Sequence, residues 1–168
     1  TLGYALSDVD VSNSQSGTTT GLLVLNSQTW ALATDEDLAA RNIDIDNTAG
    51  VIDLAGNTLT LNNGLTAVVI HGSGDGGTLD LDGNDLSLAG NLTNAFLVNG
   101  AAADTKSVLT LGDNTWSLSA SEDLEAQNIE VLGSFASGDV SEVDLNGHAL
   151  TLGYALSDVD VSNSQSGT

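Results

Sequence analysis

VIDLAGNTLTL (51–61) is the stretch that decides the fold. Ile52, Leu54, Leu59 and Leu61 stand at relative positions 0, 2, 7 and 9. That is two period-two alternations, each the mark of a short half-buried strand, parted by the turn residues Ala55, Gly56 and Asn57. TLDLDGNDLSL (78–88) and EVDLNGHALTL (142–152) repeat the pattern with Leu79/Leu81/Leu86/Leu88 and Val143/Leu145/Leu150/Leu152. Leu23/Leu25/Trp30/Leu32 and Leu109/Leu111/Trp116/Leu118 complete five sets, which start at Leu23, Ile52, Leu79, Leu109 and Val143.

Residues 1–18, TLGYALSDVDVSNSQSGT, return unchanged as 151–168, so the chain has a 150-residue period. The next set is due at position 173, the copy of Leu23, and five steps then close the period with nothing left over. Residues 1–168 are accordingly expected to form one solenoid segment. It comprises one repeat (1–150) and the start of the next copy (151–168), a window on a long tandem array.

A third apolar pair follows each set: Val68/Ile70, Ala95/Leu97 and Val159/Val161, with Ile43/Ile45 and Ile129/Val131 set slightly later in the other two. The extra length in those two, DEDLAARN (35–42) and SEDLEAQN (121–128), reads as one capped helical turn. Three strands at a fixed offset from set to set predict an all-β fold. It is a right-handed parallel β-solenoid with three short strands per rung, about 30 residues per rung and five rungs per period. With strands about 4.8 Å apart, a period should rise about 24 Å. The variable segments 12–21, 71–77, 99–107 and 132–142 are expected at one corner.

Composition excludes several functions. Only Arg41 and Lys106 are cationic, and the net charge is −21, so nucleic acid and anionic membrane surfaces are poor partners. No apolar run is long enough to span a bilayer, and without cysteine there is neither a disulfide nor a thiolate metal site. Catalysis is not expected. The two histidines are His71 and His148, and His148 occupies the turn position that Asn57, Asn84 and Asn114 hold elsewhere.

The three quoted segments resemble the β-helical regions of bacterial filamentous-haemagglutinin-like and autotransporter adhesins. The resemblance implies secretion, an extracellular or cell-surface location and no particular activity. The expected role is a structural segment of an extracellular fibre or giant adhesin, partnered by further copies of itself end to end.

Four acidic side chains suggest calcium: Asp80, Asp82 and Asp85 in DLDGND, with Asp53 expected one rung below Asp80. Neighbouring GSGDGG (72–77) resembles part of a calcium-binding glycine-rich nonapeptide. The competing reading is an acidic edge that holds solenoids apart, which divalent cations could then bundle. Ice binding is the other alternative. The outward residues of the second strand (Thr29, Thr58, Thr60, Ser87, Thr115, Ser117 and Thr151) would form a ranked threonine-like face if they stack. Val69 and Phe96, expected to be outward neighbours, are candidates for lateral contact between solenoids.

Overall fold

A computed structural model describes residues 2, 4–6, 11–12, 20–46, 50–73, 76–101, 105–133 and 141–164, the side chains of 66 and 67 apart. The chain is a parallel β-solenoid whose coil has three sides, visited in a fixed order. It meets the first side at Leu6, which bridges Trp30. β1 (Gly21–Val24) lies on the third side, β2 (Thr29–Ala31) on the first and β3 (Glu36–Asp37) on the second. A single helical turn, α1 (Leu38–Arg41), leads to β4 (Ile43–Asp46) on the third side. β5 (Val51–Asp53) is on the first side and β6 (Thr58–Thr60) on the second, and β7 (Leu65–His71) rounds the corner from third to first.

β8 (Thr78–Asp80), β9 (Leu86–Leu88) and β10 (Leu92–Thr93) then occupy the second, third and first sides. β11 (Phe96–Val98), β12 (Ser107–Thr110) and β13 (Thr115–Ser117) do the same one turn later. β14 (Glu122–Asp123), the helical turn α2 (Leu124–Gln127) and β15 (Ile129–Leu132) precede β16 (Ser141–Asp144), which returns to the first side. β17 (Leu150–Thr151) is on the second side, Ser157 bridges Leu132 on the third, and β18 (Val159–Ser162) ends the described strands on the first.

Every strand pair is parallel, as stacking of successive turns requires. Inward side chains stack into columns. On the first side the column runs Trp30, Ile52, Ile70, Leu92, Trp116 and Val143, all fully buried. The two helical turns form as the sequence implies. Asp37 and Asp123 cap them by accepting the amides of Ala40 and Ala126, and Asn42 and Asn128 close them in the left-handed region.

The rung length differs from expectation. Along the first side, Trp30, Ile52, Ile70, Leu92, Trp116, Val143 and Val161 follow one another a turn at a time. A turn therefore takes about 22 residues in place of about 30. The sets beginning at Leu23, Ile52, Leu79, Leu109 and Val143 start on the third, first, second, third and first sides. Each set thus covers four sides of a three-sided coil, one turn and a third.

The strand missing from the sequence reading falls between the second and third apolar pairs of each set, at Glu36, Leu65, Leu92, Glu122 and Leu156. It is short, and in two sets its inward residue is glutamate, so no alternation marks it. Five sets span twenty sides, or six and two-thirds turns, and the rise per period becomes about 32 Å in place of about 24 Å. For the same reason the variable segments fall at all three corners. Positions 13–19, 74–75, 102–104 and 134–140 within them, and so part of GSGDGG, lie outside the described residues.

Candidate functional site

The four-side step disperses the residues expected to act together. Asp53 pairs with Ala31 and His71 on the first side, whereas Asp80 pairs with Thr60 and Val98 on the second. The two do not stack. Each instead serves its own turn: Asp53 Oδ1 accepts the amides of Ala55 (3.0 Å) and Ser73 (3.1 Å). Asp80 Oδ1 accepts those of Asp82 (3.0 Å) and Gly100 (2.7 Å). Asp144 does the same for Asn146 and Ser164, and the bonds from Ser164 do most to hold its carboxyl below the usual range.

Asp85 Oδ1 takes the amide of Val108, and Asp82 occupies the left-handed turn position at φ +45°. Partial burial, with the charges of Asp80 and Asp37, raises the Asp82 carboxyl. No group of three potential metal-ligating side chains occurs among the described residues. Asp53, Asp80, Asp85 and Asp144 work as backbone acceptors that tie one turn to the next.

The threonine ranks are split in the same way. Thr29, Thr115 and Ser117 lie on the first side, Thr58, Thr60 and Thr151 on the second, and Ser87 on the third. Thr29 stands beside Val51, not beside Thr58, so no single ranked face exists. Val69 and Phe96 are separated too: Val69 pairs with Val51 on the first side and Phe96 with Thr78 on the second. Phe96 borders a surface groove of about 320 Å³ with Gly56, Thr78 and Ser119.

Two buried glutamates went unanticipated. Glu36 and Glu122 point into the second side, where Leu59, Leu79 and Leu97 stack. Both insert a carboxylate into the strand ladder: Glu36 Oε1 accepts the amide of Val11 and Glu122 Oε1 that of Leu97, at 3.2 and 3.1 Å. Their second oxygens differ. Glu36 Oε2 lies 2.6 Å from Arg41 Nη1. In the other set Gln127 stands where Arg41 would, its Oε1 accepts the Asn99 amide, and Glu122 Oε2 is buried without a hydrogen-bond partner. Burial pushes the Glu122 carboxyl up to about 7, against the lowering effect of the Leu97 amide. Aligning the five sets at this position would have exposed both glutamates.

The recurrent segment occupies both ends of the solenoid. At the start, Leu2 donates its amide to Val24, Leu6 bridges Trp30, and Arg41 Nη1 donates to the Val11 carbonyl. At the end, Tyr154 Oη donates to Asn128 Oδ1 (2.7 Å), Ser157 bridges Leu132, and β18 pairs with β16. Lys106 pairs with Glu130 and stands 5.3 Å from the Tyr154 ring centroid. Tyr4 and Leu22 at one end, and Leu152, Tyr154 and Val161 at the other, are the exposed large apolar side chains among the described residues. The chain matches no protein-family model, no curated protein and no solved structure.

Proposed function

We propose that this chain is a structural repeat segment of an extracellular bacterial fibre or giant adhesin, without enzymatic activity, and that it extends by continuing the solenoid from one copy into the next. The return of the opening sequence on a coil that goes on stacking carries the reading: residues 159–162, the copy of 9–12, form β18 and pair in parallel with β16. A parallel coil built of recurring segments grows by adding turns, each pairing with the one before it. The exact return of residues 1–18 at 151–168 supplies a sequence to continue it. The resemblance to filamentous adhesins favours secretion to the cell surface. The acidic flanks would keep neighbouring fibres apart at low salt.

Electron microscopy of a chain carrying several consecutive copies of residues 1–150 tests this. A straight rod that lengthens by about 32 Å with each added copy supports the proposal. Copies that remain separate globules, or a length that does not grow in proportion, overturn it.

A further inference from the structure

Residues 2–12 and 152–162 carry the same sequence, and its described parts take two different seats. Leu6 lies on the first side, one turn before Trp30, and Leu156, adjoining the Ser157–Leu132 bridge, lies on the third. Val11 faces Glu36 on the second side, and its counterpart Val161 faces Val143 on the first. The two seats differ by two sides, the remainder left when twenty sides wind on a three-sided coil.

The seats are also complementary. The terminal copy is held by the turn before it, through Asn128, Leu132 and β16. The first copy is held by the turn after it, through Val24, Trp30, Glu36 and Arg41. Each therefore displays one half of a junction that a segment lying between two copies would make in full. Both cationic side chains of this chain bear on it, Lys106 against Tyr154 from one side and Arg41 against Val11 from the other.

We propose that the seat formed by residues 24–41 is a docking surface for the 152–162 segment of a second copy of this chain, with the newcomer turned by two of the three sides about the solenoid axis. In the isolated chain Leu2, Leu6 and Val11 fill that seat from within, and tethering gives them the advantage over an identical segment from another molecule. Within a tandem array the segment that follows residue 150 of one repeat is the opening of the next, so it reaches the seat covalently, gripped by Arg41 of its own repeat and Lys106 of the preceding one. The proposal rests on the tandem reading and specifies its joint.

Leu6→Asp in the full chain tests the seat, because it places a charge against Trp30 and expels the chain's own segment while leaving Leu156 intact. At several hundred micromolar, light scattering after size exclusion should give masses at least double the 17.0 kDa of the monomer. Adding Leu156→Asp should restore the monomer. Leu2→Asp gives the same pair of measurements if Leu6→Asp loses its β circular dichroism. A folded Leu6→Asp or Leu2→Asp chain that stays monomeric overturns the proposal. Oligomers that survive Leu156→Asp overturn it equally, since the terminal copy would not be what joins them. A rod that lengthens as expected while Leu6→Asp stays monomeric would sink the exchange of seats and leave the fibre standing.

Discussion

Glu36 and Glu122 hold the same place in their sets and meet different fates because of one residue, Arg41 against Gln127. A carboxylate buried with a guanidinium partner stays charged, and one buried with a single amide for company resists ionisation. Folded Glu122 binds its proton up to about pH 7, whereas an exposed glutamate releases it near 4.5. The group's contribution to stability is therefore complete below pH 4.5 and is lost as pH rises through 7. Glu122→Gln should remove that slope, and the variant should exceed the parent by on the order of 2 kcal/mol at pH 8, measured by urea unfolding. Arg41→Gln should act the opposite way and cost about 3 kcal/mol at neutral pH, since it strands the Glu36 carboxylate. Asp80→Ala leaves the Asp82 and Gly100 amides without their acceptor. It should cost about 1–2 kcal/mol, by the same amount with millimolar calcium as with chelator.

At the level of elements, the turn between the first two strands of each set is a left-handed device. Asn26, Ala55, Asp82, Gly112 and Asn146 occupy its first position, all with φ between +45° and +61°. Asparagine, aspartate and glycine tolerate that region, and alanine carries a steric penalty there. Ala55→Asn should therefore stabilise by about 0.5–1 kcal/mol and raise the melting temperature by about 1–4 °C. The turns also stack. Asn57, Asn84 and Asn114 donate to the carbonyls of Leu32, Leu61 and Leu88, closing the second corner of one set against the first corner of the next. His148 takes the equivalent position in the last set, and Asn146, at the start of that turn, donates to Leu118 instead.

For the whole molecule, the mismatch between a four-side set and a three-side coil governs what the surface presents. A residue type recurring once per set appears on a different side each time, which spreads charge around the rod and prevents a flat ranked face. The same arithmetic turns each successive copy by two sides, so three copies restore the phase. Fibre diffraction or averaged micrographs of a long array should show a full axial repeat of about 96 Å, three times the rise of a single period. A repeat of about 32 Å alone would mean that copies superpose without rotation.

Fold class was legible in the alternation of Ile52, Leu54, Leu59 and Leu61 and its four echoes, because burial of every second side chain is a local property of a strand. The helical turns were legible for a similar reason: Asp37 and Asp123 cap amides of their own turn, at Ala40 and Ala126. Register was not. The spacing of the set starts reports the unit that recurs in sequence, and nothing local says how many sides that unit winds around. Tertiary structure decided it, through a short fourth strand that reaches the core with Glu36 and Glu122 in two sets. With the register went every site that needed neighbours: the pairing of Asp53 with Asp80, the threonine face and the Val69–Phe96 contact are all separated by one extra side. Composition alone established the acidity and the two cations. That both cations close on the recurrent segment follows only from stacking, which sets Lys106 beside Tyr154 and Arg41 beside Val11 although each pair is more than a full turn apart along the chain.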